Sequence, residues 1–240
     1  MKILLYTHSD YSWVWEYWHK QTDKFLNVFE KICLLNSNSS FREDYLVIKY
    51  DDKLTYKNRI LSCLDNIDDD EIVLFCHEDM FLYKKPNFEI IDEYINLIKS
   101  GNCELIKLVR AFENLDKSNI HDKLFKNPDK QLFSIQPTLI KIKTLKYIYK
   151  TVPGDNIWEF EANTTKEYLK DLISLCSYDL NKDKKRGKFH YDSSVYPYIC
   201  TAVIKGKWNF KEYKKELYEI FYNKKFNNFS YYFSRLKFFI

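Results

Sequence analysis

The most concentrated group of chemically capable residues is the run His77 to Met80, which directly follows an apolar stretch, Ile72 to Cys76. An apolar run of this length predicts a buried β-strand. Ligands of open α/β sheets bind at the carboxyl ends of the strands. Carboxylates at such a place can hold Mg²⁺ or Mn²⁺, which neutralises a diphosphate as a bond to it breaks. Glu78 and Asp79 are therefore the predicted metal ligands, and an ordinary acidic turn is the alternative.

A second acidic pair, Glu159 and Glu161, follows Pro153-Gly154, a dipeptide that interrupts regular secondary structure. This placement predicts a bend above the sheet, where a carboxylate could act as a general base. The alternative is a structural role, with the acids bonded to backbone or water.

Two basic residues could contact phosphate. Arg59 stands one helical turn after Tyr56 and could bind a phosphate or an acid such as Asp79, although a surface ion pair would explain it equally. Lys207 lies between Gly206 and a tryptophan, where it could reach a departing diphosphate. A solvated lysine at a strand end is the alternative.

The elements that position these residues alternate along the first half of the chain. Short apolar runs predict parallel strands buried on both faces, and stretches with helical spacing separate them. This order predicts an α/β fold, with a mostly parallel Rossmann-like sheet flanked by helices in a single domain. The predicted strands are Ile3 to Tyr6, Ile32 to Leu35, Tyr45 to Tyr50, Ile72 to Cys76 and Leu105 to Val109, and the predicted helices are Trp15 to Phe29, Tyr56 to Ile67 and Phe88 to Ile98.

The second half is less regular. It predicts a strand at Leu132 to Ile135 that stops at Pro137, a helix at Thr144 to Tyr149, and a strand at Ile199 to Ile204. The sequence Thr164-Thr165-Lys166-Glu167 fits a capping box and predicts a helix that begins near Thr165.

Composition excludes several classes of protein. A net charge of +4 over 240 residues is far below the basic footprint of a dedicated duplex binder, so no nucleic acid partner is expected. Four glycines, none clustered, exclude a phosphate-binding P-loop. The six cysteines include no Cys-x-x-Cys pair, and the first apolar run is too short for a signal peptide. We expect reduced, mostly buried thiols and a cytoplasmic protein.

The ordered set of motifs resembles the fold-type-A (GT-A) glycosyltransferases, particularly viral and bacterial enzymes of surface-glycan synthesis. The resemblance covers roughly 200 residues, but Glu78-Asp79 stands where the family usually has Asp-x-Asp. The matching pieces are Thr7 to Tyr11 with Trp13 and Trp15, Tyr56 to Arg59, His77 to Met80, Ser134 to Pro137, Trp158 to Glu161 and Gly206 to Trp208.

The resemblance implies an enzyme that transfers a sugar from a nucleoside-diphosphate donor, such as a UDP-sugar, to a carbohydrate hydroxyl with Mn²⁺ or Mg²⁺. It implies Glu161 rather than Glu159 as the base, which would make the transfer inverting. The implied donor-binding residues are Thr7, Tyr11, Tyr50, Asp51, Arg59 and Lys207.

The resemblance also divides the chain by role. Residues 1–110 would form the nucleotide-sugar half, residues 111–208 the acceptor and catalytic half, and residues 209–240 a basic, aromatic tail. The tail, above all Tyr231 to Ile240, could touch a membrane surface and bring the enzyme to a glycan or glycolipid acceptor. Two other functions stay open: an interaction protein that docks through this tail, and a metal-dependent nuclease or phosphotransferase that uses Glu78 and Asp79.

Overall fold

The centre of the protein is an eight-stranded sheet, seen in a computed structural model that describes residues 1–186 and 190–223. The strand order is β3-β2-β1-β4-β7-β5-β8-β6. Strands β1 to β4 pair in parallel, β5 pairs in parallel with β8, and β6 and β7 run antiparallel to their neighbours. The strands are β1 (Lys2–Tyr6), β2 (Lys31–Asn36), β3 (Leu46–Tyr50), β4 (Ile72–His77), β5 (Leu105–Lys107), β6 (Leu124–Lys126), β7 (Thr138–Lys141) and β8 (Ser174–Ser177).

Helices pack against this sheet through apolar stripes. The clearest example is the third helix, which buries residues three and four positions apart, Ile91, Tyr94, Ile95 and Ile98. Its first turn is capped by Asn87, whose side chain accepts a hydrogen bond from the Ile90 amide. The helices are α1 (Ser12–Phe25), α2 (Tyr56–Leu64), α3 (Phe88–Lys99), α4 (Ile142–Thr151), α5 (Ile157–Ala162) and α6 (Phe210–Tyr222), and a short 3₁₀ helix spans Ser9–Tyr11.

The predicted fold class is confirmed. All five strands and all three helices predicted in the first half are present, with ends that move by a few residues. One sheet takes strands from both halves of the chain, as a single domain requires. Each of the six cysteines is buried and free, as expected.

Three predictions in the second half are wrong. Residues 132–135 form no strand, because β7 begins after Pro137 instead; a proline is tolerated at a strand start, and its carbonyl accepts from Leu108 N–H. No helix begins near Thr165, because the Thr164 hydroxyl donates to the carbonyls of Phe133 and Glu161 rather than capping a helix. Residues 158–161 form helix α5 and not a bend.

Two small hairpins complete the described chain: β9 (Lys185–Arg186) with β10 (His190–Tyr191), and β11 (Val203–Ile204) with β12 (Lys207–Trp208). Of the strand predicted at residues 199–204, only β11 forms. The turn to β12 uses Lys205 and Gly206, both with positive φ. Helix α6 covers part of the predicted tail, and the segment 231–240 lies outside the described residues. Within the described chain, the helices are too short or too polar to cross a bilayer.

Candidate active site

The two acids Glu78 and Asp79 follow β4 at the carboxyl end of the central strands. Because β1 and β4 are parallel neighbours with Tyr6 opposite His77, the residues that follow them, Thr7 and Glu78, lie side by side. Glu78 is only 6% exposed. Burial raises its pKa to about 8, with a further contribution from the Asp79 carboxylate. Burial also raises the pKa of Asp79, to about 6.

The first strand of the β11–β12 hairpin contacts Asp79 of this acid pair. A backbone hydrogen bond from Val203 favours the ionised form of Asp79, and the Ala202 amide donates to the Asp79 carbonyl at 3.2 Å. Lys207 lies on the next strand of the hairpin, paired with Ile204, and its side chain is exposed. Its proposed contact with a diphosphate stays a prediction.

Tyr11 lies near the same acids. It ends the 3₁₀ helix after β1, and its side chain is exposed. Its pKa is raised by partial burial and, next, by the charges of Glu78 and Asp79, which places its hydroxyl within electrostatic reach of both carboxylates. Thr7 is fully buried, and its hydroxyl accepts a hydrogen bond from the Trp15 indole at 2.8 Å.

Tyr50 and Arg59 contact the backbone of residues around the site. The Tyr50 ring is buried, stacks on Tyr6 at 5.5 Å, and its hydroxyl donates to the Thr7 carbonyl. The Arg59 guanidinium lies over the Tyr50 ring and donates to the carbonyls of Leu54 and Asp52. The ion pair with Asp79 considered for Arg59 does not form, because its hydrogen bonds hold the turn between β3 and α2.

A polar network that the sequence did not indicate joins the ends of β1, β2 and β3. Asn36 donates to Ser9 Oγ at 2.9 Å and to Asp52 Oδ2 at 3.3 Å, and His8 Nε2 lies 3.0 Å from Asp52 Oδ1. The neighbouring Asp51 instead accepts from the Lys53 amide within its own turn. The residue from which this network could have been predicted is Asn36, a polar residue that ends an otherwise apolar buried strand.

A cleft of about 650 Å³ opens beside β5. Glu161 lies in its wall, whereas Glu159 is exposed and accepts a hydrogen bond from the Asp155 amide. The two acids separate because residues two apart on a helix point to different sides. The cleft is lined by Val109, Arg110, Ala111, Phe112, Gln131, Ser134, Gln136, Trp158, Glu161, Cys200 and Thr201.

The surroundings of Glu161 act on the pKa of its carboxyl group in two opposite directions. Burial raises its pKa, and this is opposed by a hydrogen bond from the Ile135 amide to Oε1 and by the charge of Lys107. Lys107 was not identified as a site residue from the sequence. It is fully buried at the end of β5, burial lowers its pKa to about 8, and its Nζ has no hydrogen-bond partner in the described residues.

The acid pair suits a cation that is shared with a ligand. In the described part of the chain, no three His, Cys, Asp or Glu side chains gather closely enough to hold a metal alone. Magnesium commonly binds through one or two carboxylates together with substrate phosphates and waters. Glu78 and Asp79 fit that arrangement, and the metal site stays a prediction.

No protein-family model and no curated protein matches the chain. Similar solved structures include apo UDP-glucose pyrophosphorylase, at 8% identity and a TM-score of 0.49, which covers 82% of this chain and 94% of its own. The galactosyltransferase LgtC, solved with donor and acceptor sugar analogues, matches at 13% identity and a TM-score of 0.42, over 73% of this chain and 67% of its own.

The bifunctional IspDF from Campylobacter jejuni matches at 16% identity and a TM-score of 0.38, over 72% of this chain. The chain spans about half of that protein, 54% of its length. Identities of 8–16% and TM-scores below 0.5 indicate no substrate or reaction for this chain.

Proposed function

We propose that this protein is a glycosyltransferase that moves a sugar from a nucleoside-diphosphate donor to a hydroxyl of a glycan or glycolipid acceptor. One observation carries the proposal: a single segment, residues 200–202, joins the acid pair to the cleft. Cys200 and Thr201 line the cleft that contains Glu161, and the next residue, Ala202, donates to the Asp79 carbonyl. This short connection supports a single site, with the acid pair at one end and Glu161 at the other.

The acid pair would bind the donor. Mn²⁺ or Mg²⁺ held by Glu78 and Asp79 would neutralise charge on the diphosphate. Tyr11 lies within electrostatic reach of the acids and could contact the nucleoside, and Lys207 on the adjoining hairpin could approach the phosphates. The polar network around Asp52 and Asn36 offers further groups to the nucleoside at the neighbouring strand ends.

Glu161 would serve as the general base. Its carboxylate takes the proton from the acceptor hydroxyl, whose oxygen forms the new bond to the anomeric carbon. The bond from that carbon to the diphosphate oxygen breaks from the opposite side, so the configuration inverts. A base whose pKa is raised toward neutrality transfers protons more effectively at physiological pH.

Ligand-induced stabilisation tests the donor site directly. The melting temperature of the full chain would be measured with UDP, GDP, dTDP or CMP, each with and without Mn²⁺, since ligands that bind the folded state raise it. We expect one nucleotide to stabilise the protein, more strongly with Mn²⁺. The effect should disappear in Asp79→Asn and persist in Asp129→Asn, a matched change at an exposed site outside the cleft.

A second measurement tests the reaction. Release of the identified nucleotide from its sugar donors should require Glu161, so that Glu161→Gln slows turnover but keeps the nucleotide-dependent stabilisation. No stabilisation by any of the four nucleotides would contradict the proposal. Equal loss of nucleotide binding in both variants would refute the division of roles. Cytoplasmic location and contact of the tail with a membrane surface are part of the same proposal.

A further inference from the structure

Arg110 lies in the wall of the cleft and, within the described residues, forms no ion pair, although its charge contributes to lowering the pKa of Glu113. Its guanidinium carbon lies 3.8 Å from the centre of the Tyr178 ring and 4.1 Å from that of the Tyr191 ring. Both rings are buried, so they fix the guanidinium between them. Nearby Glu113 is engaged by the Lys185 ammonium and the Tyr191 hydroxyl. In the described residues, the Arg110 Nε has no hydrogen-bond partner.

Unsatisfied polar groups gather around this position. Buried side-chain polar atoms are normally hydrogen-bonded, so each exception calls for an explanation. Within the described chain, six such atoms lack a partner, and three of them belong to Arg110, Ser134 and Lys107. Arg110 and Ser134 line the cleft. Lys107 ends β5, the strand that leads into the cleft, and its charge acts to lower the pKa of Glu161. Such a concentration indicates a cleft built to receive a polar ligand.

Trp158 supplies a different kind of surface at the same cleft. It is 78% exposed although it is the largest apolar side chain type, and it lies three residues before Glu161 on α5. Residues three apart on a helix share a face. A flat, rigid aromatic surface of this kind can stack against the C–H groups of a sugar ring while the ring's hydroxyls stay accessible.

We infer that the cleft is an acceptor subsite for an anionic sugar, in which Trp158 stacks on the ring and Arg110 binds a carboxylate or phosphate substituent. A planar guanidinium matches both groups through paired N–H donors. The subsite would bring one sugar hydroxyl to Glu161. This inference rests on the proposed function and narrows it to acidic acceptors.

The test compares sugars that share one ring and differ at C6, which carries a carboxylate, a phosphate or a neutral hydroxymethyl group. Dissociation constants of the full chain for methyl glucuronide, the 6-phosphate of methyl glucoside and neutral methyl glucoside would be measured by ligand-observed NMR titration. We expect at least one anionic sugar to bind at least about tenfold more tightly than the neutral one, the effect of one hydrogen bond to a charged group. Comparison of the two anionic sugars shows which substituent the subsite takes.

Variants assign the effect to residues. In Arg110→Gln the preference for the anionic sugars should disappear while the affinity for the neutral sugar is kept. In Trp158→Ala the affinity for all three sugars should fall by a similar factor. Lys166→Gln removes a cation at an exposed site outside the cleft and should change nothing. Equal affinity of the wild-type protein for charged and neutral sugars would overturn the inference, whatever the stability of the variants, and so would an unchanged preference in folded Arg110→Gln.

The two proposals can fail separately. Arg110-dependent binding of an anionic sugar, without stabilisation by any nucleotide, would support the subsite and contradict the transferase. Nucleotide binding at the acid pair with no charge preference in the cleft would support the transferase and refute the anionic subsite.

Discussion

Burial of Glu78 should make the protein less stable as the pH rises, and Glu78→Gln should remove that dependence. Between its ordinary pKa of 4.5 and the folded value of about 8, Glu78 keeps its proton in the folded protein and loses it in the unfolded chain. The folded state therefore binds more protons than the unfolded state, so the free energy of unfolding falls with increasing pH throughout this window.

Comparison of the wild type with Glu78→Gln between pH 6.5 and pH 8 isolates this effect. The pKa values of His77 and His19 are lowered by burial to about 3 and about 4, so these rings add stability as the pH rises through their ordinary value of 6.5, but they do so equally in both proteins. Asp79 titrates below about 6, and Lys107 contributes only above about 8. One proton difference changes stability by roughly 1.4 kcal/mol per pH unit, or about 2 kcal/mol over this range.

Urea unfolding at half-unit steps of pH would measure the effect. The wild-type protein should lose about 2 kcal/mol more than Glu78→Gln between pH 6.5 and pH 8. The exposed Glu43→Gln serves as the matched control and should follow the wild type. Parallel curves for the wild type and Glu78→Gln would refute the burial argument. Under the proposed function, Mn²⁺ with the matching nucleotide should flatten the wild-type curve, because a bound cation favours the ionised carboxylates.

Three further changes probe the catalytic and structural assignments. Glu161→Gln should lower the turnover number at least about a hundredfold in a donor-consumption assay, whereas Glu159→Gln should retain most of the activity. Gly154→Ala should lower the free energy of unfolding in urea by at least about 2 kcal/mol, because Gly154 has φ +138° and an added Cβ would lie 2.5 Å from the Phe160 backbone nitrogen. Arg59→Met should lower it by about 1–3 kcal/mol, because two backbone carbonyls in the turn after β3 lose their charged donor.

The first half of the fold was predictable because its signals are local. Apolar runs of four to six residues separated by helical periodicity specify β1 to β4 and their helices whatever the rest of the chain does. The second half depends on contacts distant in sequence. Thr164 has the type and spacing of a helix cap, yet its hydroxyl is captured by the Phe133 carbonyl 31 residues away. Pro137 ends a strand by local rules, but here it precedes one because β4 and β5 pair with the residues after it.

The candidate site shows the same division. Glu78 and Asp79 could be located because they terminate a strand with a clear apolar signal, and the parallel register then places them beside Thr7. The family resemblance implied Asp51, and only the geometry of the turn shows that its neighbour Asp52 is the residue that reaches the network with Asn36.

Lys107 shows why the remaining part of the site could not be predicted from the sequence. A lysine at the end of a short apolar run normally extends its ammonium into water. Here Lys107 lies on an inner strand of the sheet, between β7 and β8, and its side chain is enclosed and fully buried. Both the unsatisfied ammonium and its charge beside Glu161 follow from that enclosure. Because the cost of burying an unpaired cation is high, such a residue is better explained by a ligand-binding cleft than by stability of the fold.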